Sequence, residues 1–345
     1  MKKSRIVGVI LLMVGMILAG CGGGAPDSGK AKEVQRIKLG SLRLTSSAPL
    51  FIALEKGFFA EEGLDVVVEW FDAAQPIAVA TASNKVDVGA TGITAGLYNM
   101  VGSGQKLTIV ADKGREQKGY PSSALLVTKE LYDQGITSIE QLKGKKIGIT
   151  QAGSTFQYML GRLLESEGMS LDDVEIVPLG KLGSIMASLE SGQIDGAILN
   201  EPNITKAEKA GYAKVVVPVG DVIEYQTSGI FFSPDMNKNE DAALRFMRAY
   251  VKACNYYYDA VLVREDGKSV PGKNYDEVIG IIAKYTSAPE ADIKLGLPYI
   301  DRDGKLLSSD IETQINWYTK NKLIEKPLDA KSVLDTSFLE KALKK

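Results

Sequence analysis

Two runs in this chain, Gly92-Ile93-Thr94 and Gly153-Ser154-Thr155, each stand where an apolar stretch gives way to a helix-like one. A helix start offers unpaired N–H groups and the positive end of the backbone dipole, with Ser or Thr available to cap it. Both runs therefore suit a polar or anionic ligand group, or serve as plain caps. Ser46 and Ser47 follow an earlier apolar stretch, at a place matching Gln151–Ser154, and Leu42 lies just before them. Asn200 and Glu201 end another stretch, where the Glu201 carboxylate can accept hydrogen bonds from an amine or amide or stay solvated on a rim. Arg115, in DKGREQKGYP (112–121), is the cation best placed to grip a carboxylate or sulfonate through a planar, two-pronged guanidinium. Thr227 and Ser228, at the head of TSGIFFSPDM (227–236), join the candidate ligand contacts.

The residue types argue for binding more than for catalysis. Histidine is absent, which removes the commonest general base and the commonest neutral metal ligand. The second of two cysteines, Cys254, lies on an apolar helical stretch and reads as core, so neither Ser–His nor Cys–His chemistry can be assembled. No GxxxxGK[ST] phosphate loop is present, and no catalytic residue, metal site or cofactor is expected. Acidic residues outnumber basic ones, 43 to 41, which disfavours a nucleic-acid partner.

These candidates are positioned by a duplication. KLGSLRLTSSAP (38–49) is answered by KIGITQAGST (146–155), and ASNKVDVGATG (82–92) by ESGQIDGAILNEP (190–202). LEKGFFAEEGLDVVVEW (54–70) pairs with LLESEGMSLDDVEIVPL (163–179). Asp87 and Asp195 occupy equivalent places, which implies a shared structural task such as turn bonding or capping. Each copy predicts four strands: 37–42, 66–70, 86–90 and 107–111 in the first, and 145–149, 174–178, 195–199 and 214–218 in the second. Unbroken apolar runs of this kind suit sheets covered on both faces, with ligands in the crevice beyond the strands' carboxyl ends. SSALLVTKEL (122–131) and TSGIFFSPDM resemble one another and read as two crossing segments, a hinge. Helices expected at 240–262, 274–285, 308–321 and 334–343 exceed the repeat and should pack on the first lobe. The predicted division is lobe 1 over 35–121, lobe 2 over 122–226, and the hinge return with the C-terminal helices over 227–345.

The first twenty residues read as a secretory leader, with Lys2, Lys3 and Arg5 ahead of an apolar run. Leu18-Ala19-Gly20 directly before Cys21 resembles a bacterial lipoprotein processing site, at which Cys21 becomes an acylated first residue. The Gly-rich, polar stretch through residue 34 then serves as a flexible tether.

APLFIALEKGFFAEEGLDV (48–66), VDVGATGITA (86–95), LKGKKIGITQAGST (142–155) and the Asp195…Glu201-Pro202 segment together resemble the substrate-binding proteins of ABC importers. Within them, the pattern is similar to the nitrate, sulfonate and taurine group, which also includes thiamine-pyrimidine binders. The resemblance covers roughly 35–235 well and the C-terminal helices loosely. It implies an α/β, type II periplasmic-binding-protein fold, with two doubly wound lobes joined by a two-strand hinge. It further implies a monomer anchored to the cell membrane outside the cytoplasm, which closes on a small molecule and delivers it to a permease and its ATPase. One departure concerns the ligand. Leu42 stands where sulfonate binders often carry a polar residue such as Gln, and no second fixed cation is evident. Both features point away from a simple sulfonate or nitrate and toward a larger organic acid, aromatic or heterocyclic. A sensor that signals to a membrane protein would use the same cleft. An enzyme on this fold, such as a pyrimidine synthase, needs the histidine and the cysteine-rich motif that the chain lacks.

Overall fold

A computed structural model describes residues 34–120, 122–266 and 268–344. The expected leader, Cys21 and nearly all of the tether lie outside the described residues.

The apolar runs form two five-stranded sheets of the same design. In the first, β1 (Gln35–Ser41), β2 (Leu64–Trp70) and β3 (Val88–Gly92) are parallel, and the order is β2-β1-β3-β10-β4. Here β4 is Thr108–Glu116, and β10 (Tyr225–Phe232) runs antiparallel between β3 and β4. The second sheet has the order β7-β6-β8-β5-β9, from β5 (Ser123–Thr128), β6 (Lys146–Ile149), β7 (Glu175–Pro178), β8 (Gly196–Asn200) and β9 (Ala213–Pro218). In it β5 is the antiparallel fourth strand, between β8 and β9. The two similar runs expected as crossing segments lie instead within the sheets, as the buried strands β5 and β10, and the chain passes between the sheets in the short connections just before them, after β4 and after β9.

The duplication extends to single bonds. Asp87 Oδ2 accepts the Lys38 N–H and Asp195 Oδ2 the Lys146 N–H, both at 2.7 Å. Each aspartate's own N–H returns to the carbonyl of the same lysine, which locks the loop before β3 or β8 to the neighbouring strand, β1 or β6.

Four helices join the strands of the first sheet: α1 (Ala48–Glu55), α2 (Phe58–Glu61), α3 (Ala74–Ala82) and α4 (Ala95–Gly102). Pro49 stands in the first turn of α1, where its missing N–H costs nothing. The second sheet carries α5 (Lys129–Asp133), α6 (Thr155–Ser166), α7 (Leu182–Glu190) and α8 (Asn203–Ala210). Beyond β10 follow α9 (Pro234–Lys238), α10 (Glu240–Val261), α11 (Tyr275–Thr286), α12 (Glu290–Ile293), α13 (Ser308–Lys320) and α14 (Ser337–Leu343). The buried stripe of α10, including Phe246, Tyr250, Cys254 and Tyr257, recurs at helical spacing and packs with α1 and α11 over the first sheet. Cys254 lies fully inside this core, as its apolar setting implied.

The expectation for the C-terminal helices needs one correction: α13 does not stay on the first lobe. Tyr98 of α4 donates to Gln314 at 2.9 Å, while Trp317 Nε1 donates to Glu165 of α6 at 3.1 Å. The indole also packs against Gly161, where a Cβ would come within 2.2 Å of it. Tyr158 packs edge-on to Trp317 and stacks on Tyr225, so the aromatic surface of α13 is covered only when both lobes contribute.

Candidate functional site

A cavity with about 50 Å³ of free space lies between the sheets, and its walls come from one edge of each. Leu42, Ala73, Ala74 and Gly92 follow or end β1, β2 and β3; Thr150, Leu182 and Asn200 do so for β6, β7 and β8. Ser122, Thr227 and Ser228 stand at the heads of the antiparallel β5 and β10, which brings them to the same edge. Every parallel strand therefore points its carboxyl end at one space, the position at which open α/β sheets bind ligands.

Of the residues singled out from sequence, Leu42, Ser46, Gly92, Thr155, Asn200, Thr227 and Ser228 line the cavity. The others are placed beside it or turned away. Ser47 is buried and donates to the Leu42 carbonyl at 3.0 Å, which fixes the loop that presents Ser46. Ile93 is core, and Thr94 caps α4 by accepting from the Leu97 N–H. Ser154 caps α6 through the Gln157 N–H, and Gly153 takes φ +73° in the preceding turn. The Glu201 carboxyl is turned inward onto Thr205 N and Oγ1, and burial raises its pKa; it closes the start of α8 rather than facing the cavity. Arg115 likewise turns away, with its guanidinium 4.5 Å over the Tyr299 ring and a hydrogen bond to Gln117.

The two glycine runs face one another. Ala95, the first residue of α4, donates its N–H to the Gly153 carbonyl at 2.9 Å. Gly92 packs against Thr155, whose Cγ2 would lie 2.7 Å from a Cβ at position 92, and Gly153 packs against Ala95 at the same notional distance. Thr45 N and Oγ1 both donate to the Glu201 carbonyl. The lobes thus meet directly around the cavity, and small residues allow them to.

The cavity's cation is Lys113, which the sequence reading passed over in favour of its neighbour Arg115. Lys113 is 1 % exposed and, among the described residues, is the only ionisable one in the lining. Its Nζ donates to Ser46 Oγ at 3.0 Å, and among the described residues no carboxylate pairs with it. The adjacent Asp112 is committed elsewhere: its two oxygens accept from Asp301 N, Gly114 N and Gln226 Nε2 at 2.6–2.7 Å. Desolvation lowers the Lys113 pKa to about 7 against a weaker opposing pull from Asp112. Three residues on, Glu116 is also buried; it accepts from Ser123 N and Oγ and from Thr227 Oγ1, and burial raises its pKa to about 7. The cleft cation is thus Lys113 in place of the expected Arg115, because the charged run after residue 111 continues as buried strand to Glu116 and carries Lys113 into the cleft while Arg115 turns away. Leu44, Ala73, Ala74, Gly114, Ser122, Phe156 and Leu182 were also missed. Of these only Phe156, which directly follows the second glycine run, had a sequence signal that could have found it.

Thr155 and Phe156, which line the cavity, carry the first two N–H groups of α6, and by helix geometry these have no partner within the helix. The site therefore combines one buried ammonium, one helix start, several hydroxyls and an apolar wall. Among the described residues no group of three or more His, Cys, Asp or Glu could hold a metal ion.

The comparisons agree with this architecture. A protein of Bacillus subtilis (strain 168) named for binding aliphatic sulfonates is 26 % identical over 99 % of this chain and 97 % of its own length. The crystal structure of the periplasmic nitrate-binding protein NrtA from Synechocystis PCC 6803 superposes with a TM-score of 0.72 at 17 % identity, covering 90 % of this chain and 88 % of the other. The fold is not confined to binding proteins: the desulfurization enzyme DSZB matches with a TM-score of 0.62 at 17 % identity, over 90 % of this chain and 99 % of the other. The family pattern described as NMT1/THI5 like matches residues 44–260, more than half of the sequence, and with the duplicated sheets and the cleft between them it shows that the chain belongs to the NMT1/THI5-like family, on the fold of the periplasmic binding proteins.

Proposed function

We propose that this protein is the extracytoplasmic solute-binding component of an ABC importer, which captures a small organic anion between its lobes and presents it to a permease. The observation that carries the reading is the cavity itself, walled by the carboxyl edges of both sheets and containing a single cation. The relatives named for sulfonate and nitrate binding support it. So does the lining, which has a lysine but no carboxylate, imidazole or thiol with which to build an acid–base pair. The limited free space favours an anion with a short apolar portion; a larger aromatic acid requires the lobes to part.

In the same reading, Cys21 carries the lipid, residues 22–34 tether the body to the membrane, and 117–122 with 219–224 form the hinge. Among the described residues, no helix is long and apolar enough to cross a membrane. Two measurements test the proposal. Native mass spectrometry of the protein as purified should show a bound small anion, and saturation at 100 times Kd should stabilise the fold by about 2.7 kcal/mol. Cys21→Ser should move the protein from the membrane fraction to the soluble fraction. An unliganded protein whose melting is unmoved by any anion would remove the basis for capture.

A further inference from the structure

Lys113 is an expensive residue to place where it is. A buried ammonium without a carboxylate opposes folding, and burial drives such groups toward the neutral form rather than leaving them charged. Ser46 from the loop after β1 accepts the one hydrogen bond of Lys113, and Gly114, Thr227 and Ser228 from β4 and β10 are uncharged. On the same strand, Asp112 is saturated by three donors, Arg115 lies over Tyr299, and Glu116 is occupied with Ser123 and Thr227. From the segment packed behind, Asp301 contributes its backbone N–H to Asp112, and its Oδ1 accepts from the N–H groups of Asp303 and Lys305. The protein thus supplies every part of an ion pair here except the anion. On the second lobe the free N–H groups at the start of α6 belong to Thr155 and Phe156, which line the same cavity. Leu42, Leu44, Leu182 and the Phe156 ring complete the wall with surface that cannot hydrogen-bond.

We propose that Lys113 selects the ligand: the cleft takes a monoanion with a short apolar tail, its head group held between the Lys113 ammonium with Ser46 and the first turn of α6, and capture brings a proton onto the lysine. The inference rests on the solute-capture reading and narrows it to a charge, a shape and a pH response. One cation in a lining without other ionisable groups matches one negative charge; a dianion or a zwitterion leaves a charge uncompensated inside the closed cleft. Because the empty site holds Lys113 with a pKa of about 7, binding an anion that prefers the ammonium draws the proton equilibrium upward.

The test is calorimetric titration of the purified protein with permanently charged probes, 1-propanesulfonate, nitrate and benzoate, and with neutral propanesulfonamide, at pH 6 and pH 8. An anion should bind wild type about tenfold more weakly at pH 8 than at pH 6, the loss expected when only a site with pKa near 7 in its protonated form is competent. Lys113→Gln keeps a donor of similar reach but no charge; it should raise Kd about 30-fold or more at pH 6 and abolish the pH dependence. Lys113→Met, which suits the apolar wall, guards against a folding defect and should behave alike. Anion binding that is unchanged in both variants, or propanesulfonamide binding as tightly as propanesulfonate, overturns the role of Lys113 while leaving solute capture standing. A wild type that binds no probe and carries no small molecule on native mass spectrometry overturns capture as well.

Discussion

Lys113 and Glu116 lie three residues apart on one strand, and burial moves them in opposite directions, each to about 7. For Glu116 the folded pKa lies above its ordinary 4.5, so its contribution to stability is complete below 4.5 and is lost as pH rises through about 7. For Lys113 the folded pKa lies below its ordinary 10.5, so its contribution is complete above 10.5 and is lost as pH falls through about 7. Together they give the ligand-free protein a stability minimum near neutrality, the pH at which it would work. Asp112 and Asp310 are raised by burial as Glu116 is, and steepen the acid limb. Lys113→Met should therefore stabilise the empty protein by on the order of 3 kcal/mol at pH 6, with the gain fading as pH approaches 10. Glu116→Gln should flatten the limb between pH 4.5 and 7. Denaturant melts of the three proteins at pH 5, 7 and 9.5 decide this, and a Lys113→Met profile parallel to wild type above pH 7 would count against a buried lysine in the empty site. A protein that gains stability by losing its cleft cation has been holding that cation for a ligand.

At the scale of elements, the cleft is made where β3 and the start of α6 approach each other. Gly92 has an unstrained backbone, so an alanine there opposes closure alone, through the 2.7 Å approach to Thr155 Cγ2. Gly92→Ala should lower the melting of the protein modestly and weaken anion binding about tenfold, corresponding to 1–3 kcal/mol of overpacking where the lobes meet. Thr155→Ser removes the opposing methyl and keeps the hydroxyl, so the double variant should recover most of the affinity; failure of that rescue would place the effect of Gly92→Ala elsewhere. The same elements explain what sequence could show. The strands stood out as unbroken apolar runs, the helix starts through Thr94 and Ser154, and the paired Asp87 and Asp195 because both copies need the same bond. Lys113 did not, because a strand that turns charged in the middle reads as a loop. Its burial depends on Asp301, Gly304 and Gln226, which lie over a hundred residues away and satisfy Asp112 and the β4 backbone. Arg115 was the better guess by chemistry and the poorer by geometry, since only the partner ring of Tyr299 shows which way it turns.

At the scale of the whole molecule, two chain passages join the lobes and α13 adds a third connection that is not covalent. Helix α13 is fastened to the first lobe at both ends: Leu307 N–H donates to Gln226, and just past the last turn Leu323 O accepts from Asn99 Nδ2 of α4. It reaches α6 chiefly through Trp317, buried against Gly161, with the indole N–H on Glu165. Any opening of the cleft must therefore move α6 past this indole or carry α13 with it, and α6 is the helix whose first turn faces the ligand. The clasp also makes the lobes unfold together, since the aromatic cluster of Tyr98, Tyr158, Tyr225 and Tyr318 is covered from both sides only while α13 is docked. Trp317→Ala should cost about 3–5 kcal/mol, as large aromatic truncations in cores do, and should split one calorimetric transition into two. An anion held as proposed contacts both lobes, so saturation should merge the transitions again even though the variant lies outside the cavity. A single, merely lowered transition in Trp317→Ala would mean that the hinge passages alone couple the lobes; two transitions that anion binding fails to merge would mean that the ligand is held by one lobe and not between them.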